Sequence, residues 1–258
     1  VLELGTVANH GYYEIEGHDL NLEQLNWALQ KSIERHDMLR AVVLPNGQQQ
    51  VLKQVPPYQI EVLDLRGKED HVVALEIDAI RQQMSHQVLP TDTWPLFEFR
   101  ATYLDGGRVR LHISYDLQIF DAWSLFLLFD EWFQLYQDPK IELMPLELSF
   151  RDYVLAEQAL QETELYQRSQ QYWLSRLDDL PPAPTLPLAK SPKELKHYRT
   201  NRYEDQLGQT DWQMFKQKAA QAGLTPSGVL LAAFTEILTV WNRSPRFTIS
   251  LALFNRLP

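Results

Sequence analysis

The chain has 258 residues, 45% hydrophobic and 22% charged, which excludes wholesale disorder and leaves room for one large domain or two modest ones at roughly 150 residues each. Its 34 acidic against 24 basic residues give a formal charge of −10, the wrong sign for a nucleic-acid binder, whose phosphate contacts need clustered cations. With no cysteine a disulfide framework, a thiolate zinc site and a thiol nucleophile are excluded, and a reducing cytoplasm is the simplest home.

In chain order, Val1-Leu2-Glu3-Leu4 lacks an initiator methionine and the basic region of a signal peptide, so a cut or processed end is expected. Residues 9–16 are aromatic and β-branched enough for a strand. Leu22, Leu25, Leu29 and Ile33 recur at three- and four-residue spacing, the pattern of an amphipathic helix. Ala41–Leu44 and Gln49–Leu52 flank Pro45-Asn46-Gly47, a hairpin signal. A second helix is expected over about 70–86. Leu96–Tyr103 and Arg108–Ser114 read as strands turned by Asp105-Gly106-Gly107. The loop 115–121 leads into an apolar helix, Ala122–Tyr136, and Ser149 is expected to cap one long helix running to about Leu177.

Five of the fifteen prolines fall between 181 and 192, so this stretch predicts a stiff, extended connector and the domain boundary. Beyond it come a strand-like segment (198–207), a helix from Thr210 to Gly223, a helix capped by Thr225 with Pro226 in its first turn, and a buried-type strand, Phe247–Leu253. No apolar run, Val229–Phe234 among the longest, approaches the ~20 residues that span a bilayer. The expectation is an α/β protein with mixed sheets in two lobes, with neither nucleic acid nor membrane as partner.

P-loop, Gly-x-Gly-x-x-Gly, His-Glu-x-x-His and Gly-x-Ser-x-Gly motifs are all missing from the sequence. The informative stretch runs from Arg110 to Leu125. Strand alternation puts His112, Ser114 and Asp116 on one face where the strand ends, a costly place for three polar groups unless they have a use. The plain alternative makes Asp121 a helix N-cap, Ser124 a first-turn residue and Asp116 a loop carboxylate. The other histidines (His10, His18, His71, His86, His197) have no metal-ligand spacing, so no metal is expected. Lys190, Lys193, Lys196, Arg199 and Arg202 form a basic stretch in an acidic chain, either a solvated linker or a surface for an acidic partner.

Asp116-Leu-Gln-Ile-Phe-Asp121-Ala-Trp-Ser124 resembles the Asp-x-x-x-x-Asp-x-x-Ser signature of heterocyclization domains of nonribosomal peptide synthetases, members of the condensation-domain superfamily. Ordinary condensation domains carry His-His-x-x-x-Asp-Gly here; this chain has Asp116 and Leu117 at the two His positions and keeps the last Asp as Asp121. Further matches follow in order: Arg35-His36-Asp37-Met38-Leu39-Arg40, Leu180-Pro-Pro-Ala-Pro-Thr-Leu-Pro-Leu188, Thr225-Pro-Ser-Gly-Val-Leu-Leu with Val240-Trp241-Asn242-Arg243-Ser244, and Phe254-Asn255-Arg256. The family's opening motif has no match before Val1 and its later motifs are expected beyond Pro258, so the resemblance implies a domain incomplete at both ends.

That resemblance implies a chloramphenicol-acetyltransferase-like two-lobed fold: an N-terminal lobe over 1–176, a connector over 177–195 and the start of a C-terminal lobe over 196–258. It implies an enzyme that joins a carrier-bound acyl or peptidyl thioester to a carrier-bound Cys, Ser or Thr and cyclodehydrates the product to a thiazoline or oxazoline. Plain amide condensation and a non-catalytic carrier-docking fragment are the alternatives. The expected partners are upstream and downstream carrier proteins, which bring their own phosphopantetheine arms, and a neighbouring adenylation domain; the domain itself should bind no cofactor. Asp116, Asp121 and Asn255 are the candidate catalytic residues, and His112, Ser114 and Ser124 the candidates for positioning substrate. In the resembling family the Asp at 121 is held by an Arg of the Arg-His-x-x-Leu-Arg segment, so Arg40, or else Arg35, is expected to form a salt bridge with a desolvated Asp121.

Overall fold

The computed structural model describes residues 9–191, 194, 203 and 205–252. The chain divides into two compact units, Val1–Ala159 and Leu160–Pro258.

The first unit is built on a four-stranded mixed sheet in the order β1-β6-β5-β4. Strand β1 (His10–His18) runs antiparallel to β6 (Arg108–Asp116), β6 antiparallel to β5 (Phe97–Tyr103), and β5 parallel to the edge strand β4 (Glu61–Asp64). Composition alone misses β4, because a four-residue strand gives too short a pattern. Strands β2 (Ala41–Val43) and β3 (Gln49–Val51) form the expected hairpin.

Because side chains alternate along each strand, the register sorts the sheet into two unlike faces. Phe97, Phe99 and Ala101 of β5 and Val109, Leu111, Ile113 and Tyr115 of β6 are buried on one of them. Helices α1 (Leu22–Arg35) and α3 (Ala122–Gln137) contribute Leu25, Leu29, Ile33, Leu125, Leu128 and Trp132 to the same core. Trp132 is fully buried, and its indole N–H donates to the Leu25 carbonyl at 2.9 Å, so the polar edge of the ring is satisfied inside the core. The opposite face carries Glu14, Arg100, Arg110 and His112, with polar side chains of helix α2 (Asp70–Met84) reaching it: Arg81 donates to Glu14, and Gln83 accepts from Arg100.

Helix α4 (Phe150–Leu160) ends where a single long helix was expected to continue, and α5 (Glu164–Leu174) begins after a break. Thr163 is the reason: its hydroxyl accepts from the Tyr166 N–H and caps a new helix start. Ser149 caps α4 as expected, accepting from Asp152 N–H while the Asp152 carboxylate accepts from Ser149, a reciprocal pair.

In the second unit residues 181–188 have no regular secondary structure, as the four prolines at 181, 182, 184 and 187 require. Helix α6 (Gln209–Gln221) stops before Gly223, whose φ of 70° suits glycine alone. Helix α7 (Pro226–Trp241) starts with Pro226 after Thr225, whose hydroxyl accepts from Gly228 N–H. The strand expected over Phe247–Leu253 is not formed among the described residues. Phe247 and Ile249 are half-buried between exposed neighbours, but the bonds Thr248 makes are single donations from its N–H and hydroxyl to the carbonyls of Pro182 and Pro181, not a ladder. Most of the strand-like segment 198–207 lies outside the described residues. Among the described residues no single helix is long and apolar enough to cross a membrane.

Gly11 shows how tightly β1 and β6 meet. Tyr115, its partner across the ladder, folds its ring over the glycine, and a Cβ there would sit 2.4 Å from the ring carbon Cζ. Gly11→Ala should therefore displace Tyr115 and cost about 1–3 kcal/mol, read as a lower denaturant midpoint with an unchanged m-value.

Candidate active site

Strand β6 delivers the polar residues singled out from the sequence. His112 and Ser114 are fully buried and Asp116, which closes the strand, is 3% exposed. Side-chain alternation places all three on the α2 face, each with a defined partner. The His112 ring lies 2.8 Å from the Tyr12 hydroxyl through Nδ1 and 3.2 Å from Thr102 Oγ1 through Nε2. Tyr12 O–H donates in turn to Glu14, which also accepts two bonds from Arg81. A neutral imidazole satisfies this chain, with Nδ1–H donating to Tyr12 and Nε2 accepting from Thr102. Burial lowers the His112 pKa to about 4, and Arg110, Arg81 and Arg100 oppose the pull of Glu14. For Glu14, burial works against its charge, yet the bonds from Arg81 and Tyr12 outweigh it and the carboxyl titrates below its usual range. Ser114 accepts from the Gln87 side chain at 2.9 Å. His112 and Ser114 are thus held inside a structural network beneath the strand end.

Asp116 differs from both. Its Oδ1 accepts from the Gln118 N–H at 2.8 Å, pinning the turn that follows the strand. Leu117, at the position where ordinary condensation domains have their second His, is 39% exposed. The loop then enters α3, with Asp121 as its N-cap: the Asp121 carboxylate accepts from Ser124 N–H at 2.8 Å. Asp116, Asp121 and Ser124 therefore sit within one short strand–loop–helix segment. Asn255 lies outside the described residues, as do Lys193, Lys196, Arg199 and Arg202 of the basic stretch; Lys190 is exposed.

The expected pairing of Asp121 with Arg40 or Arg35 is corrected. Asp121 is solvent-exposed, so the desolvation that would demand a guanidinium there is missing, and both arginines are committed elsewhere. Arg40 donates to Asp37 at 2.7 Å and to the backbone carbonyls of Ile33, Glu34 and Leu52. Arg35 grips Glu131 of α3 with Nε and Nη2 at 2.9 and 3.2 Å, and His36 Nε2 lies 2.7 Å from the same carboxylate. The Arg-His-x-x-Leu-Arg segment thus clamps α3 to the end of α1 through Glu131. Burial disfavours the Glu131 charge, but Arg35 and His36 outweigh it and hold the carboxyl below its usual range.

Among the described residues no cluster of three or more potential ligands is arranged to hold a metal ion.

Residues 10–257 match the condensation-domain family, and the chain belongs to it. It is 39% identical over 256 residues to bacitracin synthase 1 of Bacillus licheniformis, covering 99% of this chain and 5% of that protein. It is 36% identical over 240 residues to pyochelin synthetase PchF of Pseudomonas aeruginosa, covering 93% of this chain and 13% of that one. Its backbone follows that of the EpoB cyclization-docking bidomain of the Sorangium cellulosum nonribosomal peptide synthetase with a TM-score of 0.87 at 42% identity, over 96% of this chain and 50% of that one. The chain therefore spans only a small part of the curated synthetases it matches and about half of that bidomain.

Two measurements check the site's electrostatics. Glu131→Ala strands Arg35 in a half-buried setting and should cost about 3–5 kcal/mol in chemical denaturation. The depressed His112 pKa has a defined sign: between about 4 and 6.5 the unfolded chain binds a proton that the folded one refuses. Stability should fall by about 3 kcal/mol as pH drops through that window, and His112→Gln should flatten the dependence in a pH series of melts.

Proposed function

We propose that this chain is part of a heterocyclization domain of a nonribosomal peptide synthetase. The observation that carries the reading is the Asp116-to-Ser124 segment, in which a nearly buried carboxylate closes β6 and, one short loop later, a second carboxylate caps α3. The cyclization domain of the EpoB neighbour supports it.

The amine of a carrier-bound Cys, Ser or Thr attacks the carbonyl carbon of the upstream thioester. A C–N bond forms, the C–S bond breaks, and the carrier thiol leaves with the proton the amine gives up. The Cys thiol or Ser/Thr hydroxyl then adds to the amide carbon, and the resulting hydroxyl departs with the amide proton as water, leaving a thiazoline or oxazoline. Leu117 supplies no base, so amide formation relies on holding amine and thioester together, an effect that can itself contribute several kcal/mol. Asp116 orients or accepts a proton from the attacking group, while Asp121 and Ser124 fix the start of α3. The partners are carrier proteins on either side, each presenting its substrate on a phosphopantetheine arm, beside an adenylation domain; a cysteine-free chain suits work in a reducing cytoplasm.

The test supplies the protein that carries this sequence with an acyl-loaded carrier and a cysteinyl- or threonyl-loaded carrier, and weighs the product. A mass one water below the amide supports cyclization. Amide without water loss would leave condensation alone, and no transfer would favour a docking role. Asp116→Asn, which keeps the Oδ1 acceptor for Gln118, should lower product formation by about tenfold or more with little change in melting; normal turnover would remove Asp116 from the site.

A further inference from the structure

Among the described residues one buried side-chain nitrogen has no hydrogen-bond partner: Nδ1 of His10. Its place in the ladder makes this more than a local defect. His10 is the first residue of β1 and stands opposite Asp116, the last of β6. The next pair along is hydrogen-bonded, Leu117 N–H donating to the Asn9 carbonyl at 2.8 Å, while Asp116 N–H points the other way, to the Leu96 carbonyl. His10 and Asp116 are therefore a non-hydrogen-bonded antiparallel pair, the kind whose side chains approach most closely, and both project on the same face.

The neighbours on that face are already engaged. Tyr12 bonds His112 and Glu14, and Ser114 bonds Gln87. Asp116 has capacity to spare: Oδ1 accepts from Gln118, and Oδ2 accepts no hydrogen bond from the described residues. A carboxylate accepts at both oxygens, and an imidazole carrying its proton on Nδ1 is a donor of the right reach.

We propose that His10 is a positioning residue for Asp116: its Nδ1–H takes up Asp116 Oδ2 and, with Gln118 N–H on Oδ1, fixes the carboxylate's orientation toward the tethered substrates. The inference rests on the reading of Asp116 as part of the reaction site. A carboxylate held at one oxygen can still swing about its side-chain torsion, whereas one held at both cannot, and misorientation of a reacting group is costly.

Asparagine places its amide nitrogen where imidazole has Nδ1, and glutamine where it has Nε2, so the two substitutions separate this role from simple packing. In the carrier-loading assay with the protein that carries this chain, His10→Gln and His10→Ala should slow ring formation about tenfold or more, while His10→Asn retains most of the rate and all melt as wild type does. In an Asp116→Asn background, His10→Ala should add little further loss. If His10→Ala fails to fold, the comparison of the Asn and Gln variants decides. Normal rates in His10→Ala, an Asn variant as slow as the Gln variant, or an undiminished His10 effect in the Asp116→Asn background each overturn the proposal. A wild-type protein that makes no ring overturns the functional reading and this proposal with it, whereas a wild type that cyclizes with an indifferent His10 overturns this proposal alone.

Discussion

The antiparallel register of β1 and β6 governs what this part of the molecule can do. Pairing His10 with Asp116 and His18 with Arg108 gives Tyr13, Ile15, Ile113 and Tyr115 one face, and Glu14, Arg110 and His112 the other. A slip of one residue would drive the charged set into the α1/α3 core and expose the apolar set, so every buried group in the unit opposes it. Gly11 reinforces the choice, because the Tyr115 ring occupies the space that any other side chain would need. The strand end carrying Asp116 is held in place by the burial of the whole sheet, with one turn bond as the local detail.

On this frame the two faces have different physics. The α1/α3 side is held by burial, with aromatic rings packed edge-on, as Phe99 and Trp132 are at 5.2 Å between centroids and 83° between planes. The α2 side is held by charge and hydrogen bonds: Glu14 is shared by Arg81 and Arg110, and His112 stays neutral between two hydroxyl groups. Such a network is stable only while fully satisfied. At the edge facing the loop, across the ladder from Asp116, the Nδ1 of His10 stands apart from it, without a hydrogen-bond partner among the described residues.

Much of this was legible in the sequence, for identifiable reasons. The hairpins carry Asn-Gly and Gly-Gly turns, α1 and α3 carry strong apolar spacing, and the proline run forbids a ladder. The His112, Ser114 and Asp116 face follows from alternation alone. Beyond the short strand β4 and the strand expected over 247–253, three side chains escaped. Thr163 reads as an ordinary helix residue until its hydroxyl is seen to cap α5. Glu131 gives no sign that two residues of α1's end converge on it: Arg35, the second choice for Asp121, serves there, while Arg40, the first, is bound to Asp37. His10 has no motif of its own, since its meaning lies in a residue more than a hundred positions away. Local signals set elements, but which charged side chains meet is decided by packing between elements.

The bond from Trp132 to the Leu25 carbonyl gives the molecule a built-in optical reporter. Among the seven tryptophans this ring is fully enclosed, whereas Trp123, Trp173 and Trp241 are each more than half exposed. Water-contacting indoles emit at longer wavelength than enclosed ones, so the short-wavelength edge of the emission belongs mainly to Trp132. Since that indole bridges α1 and α3, its spectrum registers whether the two helices remain docked, independently of any event at the strand end.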